Sequence, residues 1–272
     1  MNNLVARTVS GIILVLIVVG SVLWNEYAML ALVLVVFSLG FYEFRKMFNV
    51  QDRSLFLTFL VTGLAALVTF FLFLSGRIDT PLMLGATALL LTVIFTHVLV
   101  SKKATIAEAG KFLSAMVWLA GSLVFFIALG RQQDPASYHA LYPLILLIMI
   151  WLFDVGAFVF GSLLGKTKIA PAISPGKTLE GLLSGTLLNA LAGYVVFRIT
   201  GEHTVLAWIL LGVVISIGAT AGDLLESKLK REAGIKDSGN LIPGHGGILD
   251  RFDSLLFAAP LFFVTLQIIA SL

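Results

Sequence analysis

The stretch from Ser227 to Asp253, SKLKREAGIKDSGNLIPGHGGILDRFD, gathers the side chains best able to handle phosphates and a divalent cation. Lys228, Lys230, Arg231, Lys236 and Arg251 supply positive charge, Glu232, Asp237, Asp250 and Asp253 supply carboxylates, and His245 stands between Gly244 and Gly246. Cations neutralise phosphate oxygens, and carboxylates offer the hard oxygen donors that Mg²⁺ takes. The glycines and Pro243 favour a turn-rich path on which backbone amides can approach an anion closely.

Three more acidic residues interrupt apolar runs: Asp154 in WLFDVGAF, Asp223 in GATAGDLLES, and Glu226 three positions later. A charge at the centre of a bilayer costs roughly 2.5–3.5 kcal/mol on insertion scales, so such residues are expected to face a polar cavity or a partner. Asp223 and Glu226, at i and i+3, share one helix face. Asp250 and Asp253 repeat that spacing at the start of the last apolar run. Helix capping is the plain alternative for Asp253. For Asp250 metal binding is preferred, with a short loop folding it back against Asp223.

A second cationic patch, GKTKIAPAISPGKTLEG, precedes the seventh apolar run. Ser174 and Thr178 are both candidate N-caps there, and Ser174-Pro175-Gly176-Lys177 reads as a phosphate-binding turn. No Walker A sequence is present. His245 could act as a base, a phosphate donor or a turn residue, and its neighbours leave these open. His97, His139 and His203 read as interfacial bystanders, and Glu43 as solvated or paired with Arg45 or Lys46.

The elements that must position these groups are hydrocarbon. Of the 272 residues 59% are apolar and 12% charged. Runs such as IILVLIVVGSVLW and LLLTVIFTHVLV show no polar face, which excludes a soluble α/β domain. Nine apolar runs, at about 5–24, 28–44, 55–74, 81–100, 112–130, 141–165, 179–198, 205–227 and 254–271, are each long enough to cross a bilayer core of ~30 Å. The chain therefore reads as an all-α polytopic membrane protein of about nine transmembrane helices. The first run follows Arg7 as a signal peptide would, but without a small-residue cleavage site, and reads as a retained span. N-terminal helices fill 1–130, and a catalytic transmembrane region fills 131–272, with inner loops at 166–178 and 228–251.

With a cytoplasmic N-terminus and an outer C-terminus, fifteen of the 18 lysines and arginines fall on the inner side, leaving Arg77, Arg131 and Arg198 outside. That bias follows the positive-inside rule. Trp24, Tyr27, Tyr138 and Tyr142 then fall near the outer boundary. The net charge of +3 implies no nucleic-acid partner, and the absence of cysteine rules out disulfides and zinc-thiolate sites.

The Ser227–Asp253 stretch resembles the signature of the phosphatidate cytidylyltransferases, or CDP-diglyceride synthases. Ser227, Lys230, Arg231, Lys236, Asp237, Gly239, Pro243, His245, Gly246, Gly247, Asp250, Arg251 and Asp253 occupy its fixed or restricted positions. The resemblance continues upstream through GDLLES, SPGKTLEG and the segment around Asp154, and departs where many relatives carry a second basic residue in place of Gly176. It implies transfer from CTP to phosphatidic acid, giving CDP-diacylglycerol and pyrophosphate with Mg²⁺ and room for a second cation. It places the site on the cytoplasmic face of a bacterial cytoplasmic (inner) membrane, and relatives suggest a homodimer.

On this expectation Asp223 and Asp250 hold the metal, and Lys230, Arg231 and His245 complete the catalytic set. Ser174, Lys177, Thr178, Lys236, Asp237, Arg251, Asp154, Glu226 and Asp253 bind substrate. The competing readings are an ion-coupled secondary transporter, with Asp154, Asp223 and Glu226 as ion ligands, and a CDP-alcohol phosphotransferase, whose Asp-Gly-x-x-Ala-Arg pattern is missing. A purely structural role gives no reason for so much charge and glycine at one boundary.

Overall fold

A computed structural model describes residues 3–134 and 136–271, so the extreme chain ends of the two expected regions lie outside the described residues. Among the described residues nine helices are long and apolar enough to cross a membrane. They are α1 (Asn3–Trp24), α2 (Glu26–Met47), α3 (Arg53–Leu74), α4 (Thr80–Val100), α5 (Ile106–Leu129), α6 (Leu141–Leu164), α7 (Leu179–Thr200), α8 (Val205–Glu232) and α9 (Leu249–Ser271). The protein is an integral membrane protein, as its uninterrupted hydrophobic runs require: in hydrocarbon only a helix or a closed barrel satisfies every backbone group internally.

Side chains at the helix starts satisfy amides that have no partner within the helix. Asn25 caps α2, Asp52 caps α3, Asp79 caps α4, Thr105 caps α5, Thr178 caps α7 and Thr204 caps α8. Thr178 is thus one of the two expected caps, whereas Ser174 opens a strand. A two-stranded antiparallel hairpin, β1 (Lys168–Ala170) and β2 (Ser174–Thr178), fills the segment read as a phosphate turn. The paired backbone of β2 is extended where the sequence suggested a turn. Glu180 secures the base of the hairpin by accepting the Lys166 and Thr167 amides at 3.0 and 3.1 Å.

The chain divides into two compact units. The first comprises Met1–Ala140 and Asp237–Leu249. Its centre is aromatic: Phe41 stacks on Phe37 and Phe56 and tilts against Phe112, with all four rings buried. Glu43 of α2, expected to be solvated or paired with Arg45 or Lys46, is instead 2% exposed. Its carboxylate accepts the Ser238 hydroxyl and the Ile248 and Leu249 amides, each at 2.9 Å. Arg45 turns to the Val50 carbonyl and the Phe56 ring, and Lys46 lies over Tyr42. Along α1, Arg7 Nε donates to Gly244 O at 2.8 Å, and the Ser10 hydroxyl lies 2.8 Å from His245 Nδ1. His97 reaches the Thr58 hydroxyl at 3.1 Å and so ties α4 to α3, a structural contact where a bystander was expected.

The second unit comprises Leu141–Lys236 and Asp250–Leu272. Its helices approach one another through glycine. A Cβ on Gly212 of α8 would meet the Asn189 carbonyl oxygen of α7 at 2.5 Å, and one on Gly218 would meet Ala258 Cα of α9 at 2.7 Å. Small residues at such crossings let helix backbones pack where lipid supplies no hydrophobic drive for association. Gly212→Val is therefore expected to destabilise the protein by about 1–3 kcal/mol through overpacking. Gly20→Ala, which meets nothing within 4 Å, should be near neutral. Thermal unfolding in detergent would check this, and equal midpoints for the two variants would contradict the crossing.

Candidate functional site

In the second unit the carboxylates and cations of the signature meet along α8, whose last turns carry charge because the helix runs to Glu232 rather than ending near residue 227. Likewise α9 starts at Leu249, so Asp250 and Arg251 sit in its first turn rather than in a loop, with Asp253 following them on the helix. Asp223, Glu226, Ser227 and Lys230, at i, i+3, i+4 and i+7, share one α8 face. Gly222 lets α9 come close: a Cβ there would sit 2.9 Å from the Asp253 carbonyl carbon.

Two ion-paired groups result. In the first, Lys230 Nζ lies 2.5 Å from Glu226 Oε2 and 2.6 Å from Asp250 Oδ1, with side chains 12%, 0% and 5% exposed respectively. Glu226 Oε1 is buried and makes no hydrogen bond. In the second, Lys177 of β2 reaches Asp223 Oδ2 at 2.7 Å, while Asp223 Oδ1 accepts the Ser227 hydroxyl at 3.1 Å. Asp154 of α6 and Asp253 of α9 both lie close enough to Asp223 for their charges to interact, and Arg251 is felt by Asp154. The i, i+3 pair on α9 thus divides: Asp250 pairs with Lys230, while Asp253 accepts the Ser254 amide and adds like charge near Asp223.

A cavity of about 430 Å³ opens beside Asp154, Lys177 and Asp223, with Ser174, Thr178 and Thr220 adding hydroxyls. Phe153, Phe158 and Leu182 give it an apolar wall. It is therefore amphipathic, with charge concentrated where α8 and β2 meet. Thr178 does double duty, since its hydroxyl also accepts the Gly181 amide at 3.2 Å.

The remaining expected residues are placed differently. Arg231 Nε donates to the Ile173 carbonyl at 3.3 Å and its Nη1 to the Ile235 carbonyl at 3.1 Å, so part of its guanidinium ties the hairpin to the end of α8. Lys236 is exposed. Asp237 and His245 belong to the first unit, Asp237 exposed and His245 against Ser10. Sequence reasoning missed Glu43, Ser10 and Glu180. An acidic residue in a span was available as a signal for Glu43, but its position beside Arg45 and Lys46 offered a simpler pairing.

Among the described residues, no three His, Asp or Glu side chains form a group that could hold a metal ion. Mg²⁺ usually binds through one or two carboxylates together with substrate phosphates and water. Asp223 and Asp250 fit that chemistry as hard oxygen donors, each held in place by a lysine.

Fold and cavity define an integral membrane protein with a cation- and carboxylate-lined chamber among apolar helices. The chain belongs to the cytidylyltransferase family, whose sequence model matches residues 5–269, and it is thus a nucleotidyltransferase. It is similar to the phosphatidate cytidylyltransferase of Staphylococcus epidermidis, 33% identical over 259 residues that cover 94% of this chain and 96% of the relative. The Staphylococcus aureus (strain COL) phosphatidate cytidylyltransferase is 36% identical over 172 residues, 62% of this chain and 64% of the relative. That of Staphylococcus saprophyticus is 47% identical over 122 residues, 44% of this chain and 46% of the relative.

Proposed function

We propose that the protein joins CTP to phosphatidic acid, releasing pyrophosphate and leaving CDP-diacylglycerol in the membrane. The observation that carries this reading is the amphipathic cavity, which sets Lys177 and Asp223 against an apolar wall of Phe153, Phe158 and Leu182. A lipid phosphate needs both surfaces at once: cations for its headgroup and hydrocarbon for its chains. The names of the staphylococcal relatives point the same way.

In this reaction a phosphate oxygen of phosphatidate attacks the α-phosphorus of CTP. A P–O bond forms there, the α–β anhydride bond breaks, and its electron pair leaves with pyrophosphate. No protein nucleophile is required, which suits a chain without cysteine. The protein's part is to orient two polyanions and offset their charge. Lys177, Lys230, Lys236 and Arg251 serve as phosphate partners, and Arg231 contributes while fixing the hairpin. Asp223 and Asp250 would hold Mg²⁺, with Asp154, Glu226 and Asp253 setting the charge around them. When bound, the metal supplies charge neutralisation on the phosphate oxygens. The lysine and arginine bias supports a site on the cytoplasmic side, and the bacterial relatives are consistent with the inner membrane.

Purified protein in detergent is expected to release pyrophosphate only when CTP, phosphatidic acid and Mg²⁺ are all present. Turnover without phosphatidic acid, or none in any lipid tested with folded protein, would contradict the proposal. The second outcome would favour ion-coupled transport through Asp154, Asp223 and Glu226.

A further inference from the structure

The signature segment is gripped at its C-terminal end by a residue far away in sequence. Glu43 is 2% exposed and sits on α2. Its Oε1 accepts the Ile248 amide, while its Oε2 accepts the Leu249 amide and the Ser238 hydroxyl, each at 2.9 Å. Leu249 opens α9 and Ile248 immediately precedes it, where amides have no intrahelical partner and a negative charge is favoured by the helix dipole. A Cβ on Gly239 would sit 2.5 Å from Glu43 Oε1, and one on Gly247 would sit 2.5 Å from both carboxylate oxygens. Two signature glycines thus leave room for this carboxylate. Both ends of the segment between Ser238 and Leu249 converge on one side chain.

The residue after Leu249 is Asp250, so whatever fixes the Leu249 peptide also fixes the backbone from which Asp250 projects. We infer that Glu43 is a positioning residue for cytidylyl transfer: it acts as a cap supplied from α2 that pins the signature loop and sets the start of α9. The inference rests, for its activity, on the proposed reaction. Glutamine cannot replace the carboxylate, because each oxygen accepts a backbone amide and one position would become an amide N–H facing the Ile248 or the Leu249 N–H. Aspartate keeps both acceptors on a shorter arm.

Hydrogen exchange and steady-state kinetics on the full-length protein in detergent test it together. Glu43→Gln is expected to speed exchange across 237–249 by ~10-fold or more, with α3 and α4 unchanged. The kcat should fall by at least ~10-fold, as misplacement of a reacting group predicts, with the KM for CTP within ~3-fold of wild type. Glu43→Asp should recover part of the kcat, which a merely space-filling role would not allow. Should Glu43→Gln fail to fold, Ser238→Ala removes one donor and should show the same changes at smaller size.

Wild-type exchange in that segment would overturn the cap. Faster exchange with unchanged kcat per folded molecule would overturn the positioning role. An inactive wild type would remove the reaction, and the positioning role with it, while the exchange arm still reports on the cap alone.

Discussion

Asp223→Asn should lower kcat by roughly 10²–10³-fold, the loss typical when one preorganised electrostatic group of an active site is removed, while the protein remains folded. The two halves of that expectation have separate grounds. Asp223 is 37% exposed and its ion pair with Lys177 spans 2.7 Å at the cavity edge. A partly exposed pair of this kind contributes only about 0–1 kcal/mol to stability. Asparagine keeps the shape and can still accept the Ser227 hydroxyl through its remaining oxygen. What it loses is the charge that holds Lys177 and that, on the proposed function, would make the position a ligand for Mg²⁺. Turnover should therefore collapse with little change in unfolding temperature. Near-normal turnover in saturating Mg²⁺ would remove Asp223 from the site.

The contrast between legible and hidden features follows from how far each signal reaches along the chain. Spans were legible because hydrophobicity over some twenty residues is a local property, and the nine long helices among the described residues lie where the apolar runs do. Their charged ends were less so. The last turns of α8 and the first of α9 read as loop because Lys228, Lys230, Arg231, Asp250 and Arg251 are polar. Polarity cannot distinguish a loop from a helix that has left the apolar layer. The hairpin at 168–178 hid for a related reason, since Pro175 and Gly176 are turn residues that here occupy an extended strand. The pairing of Asp223 and Glu226 was legible from helical spacing, but Lys230 read as loop and the partners Lys177 and Asp250 come from other elements. Glu43 was beyond reach, since its donors lie about two hundred residues downstream and two of them are backbone amides.

Lys230→Met should do more damage to the fold than Asp223→Asn, because Lys230 pairs with two shielded carboxylates at once. Its amine sits 2.5 Å from Glu226 and 2.6 Å from Asp250, whose side chains are 0% and 5% exposed. Removing one partner from a buried ionic group leaves uncompensated charge and costs about 3–5 kcal/mol. Here the loss is aggravated by Glu226 Oε1, which already lacks a hydrogen bond. Lys230→Arg is no remedy, since a planar fork replaces a compact ammonium that contacts two acceptors at once. The revealing variant is the double substitution Lys230→Met with Glu226→Gln. Neutralising Glu226 removes most of the repulsion, so unfolding temperature should recover in part, yet turnover should stay low because Asp250 has lost the group that aims it. If the double variant regained both stability and turnover, Lys230 would serve only to balance charge. Partial recovery of stability without activity would make it a working member of the site.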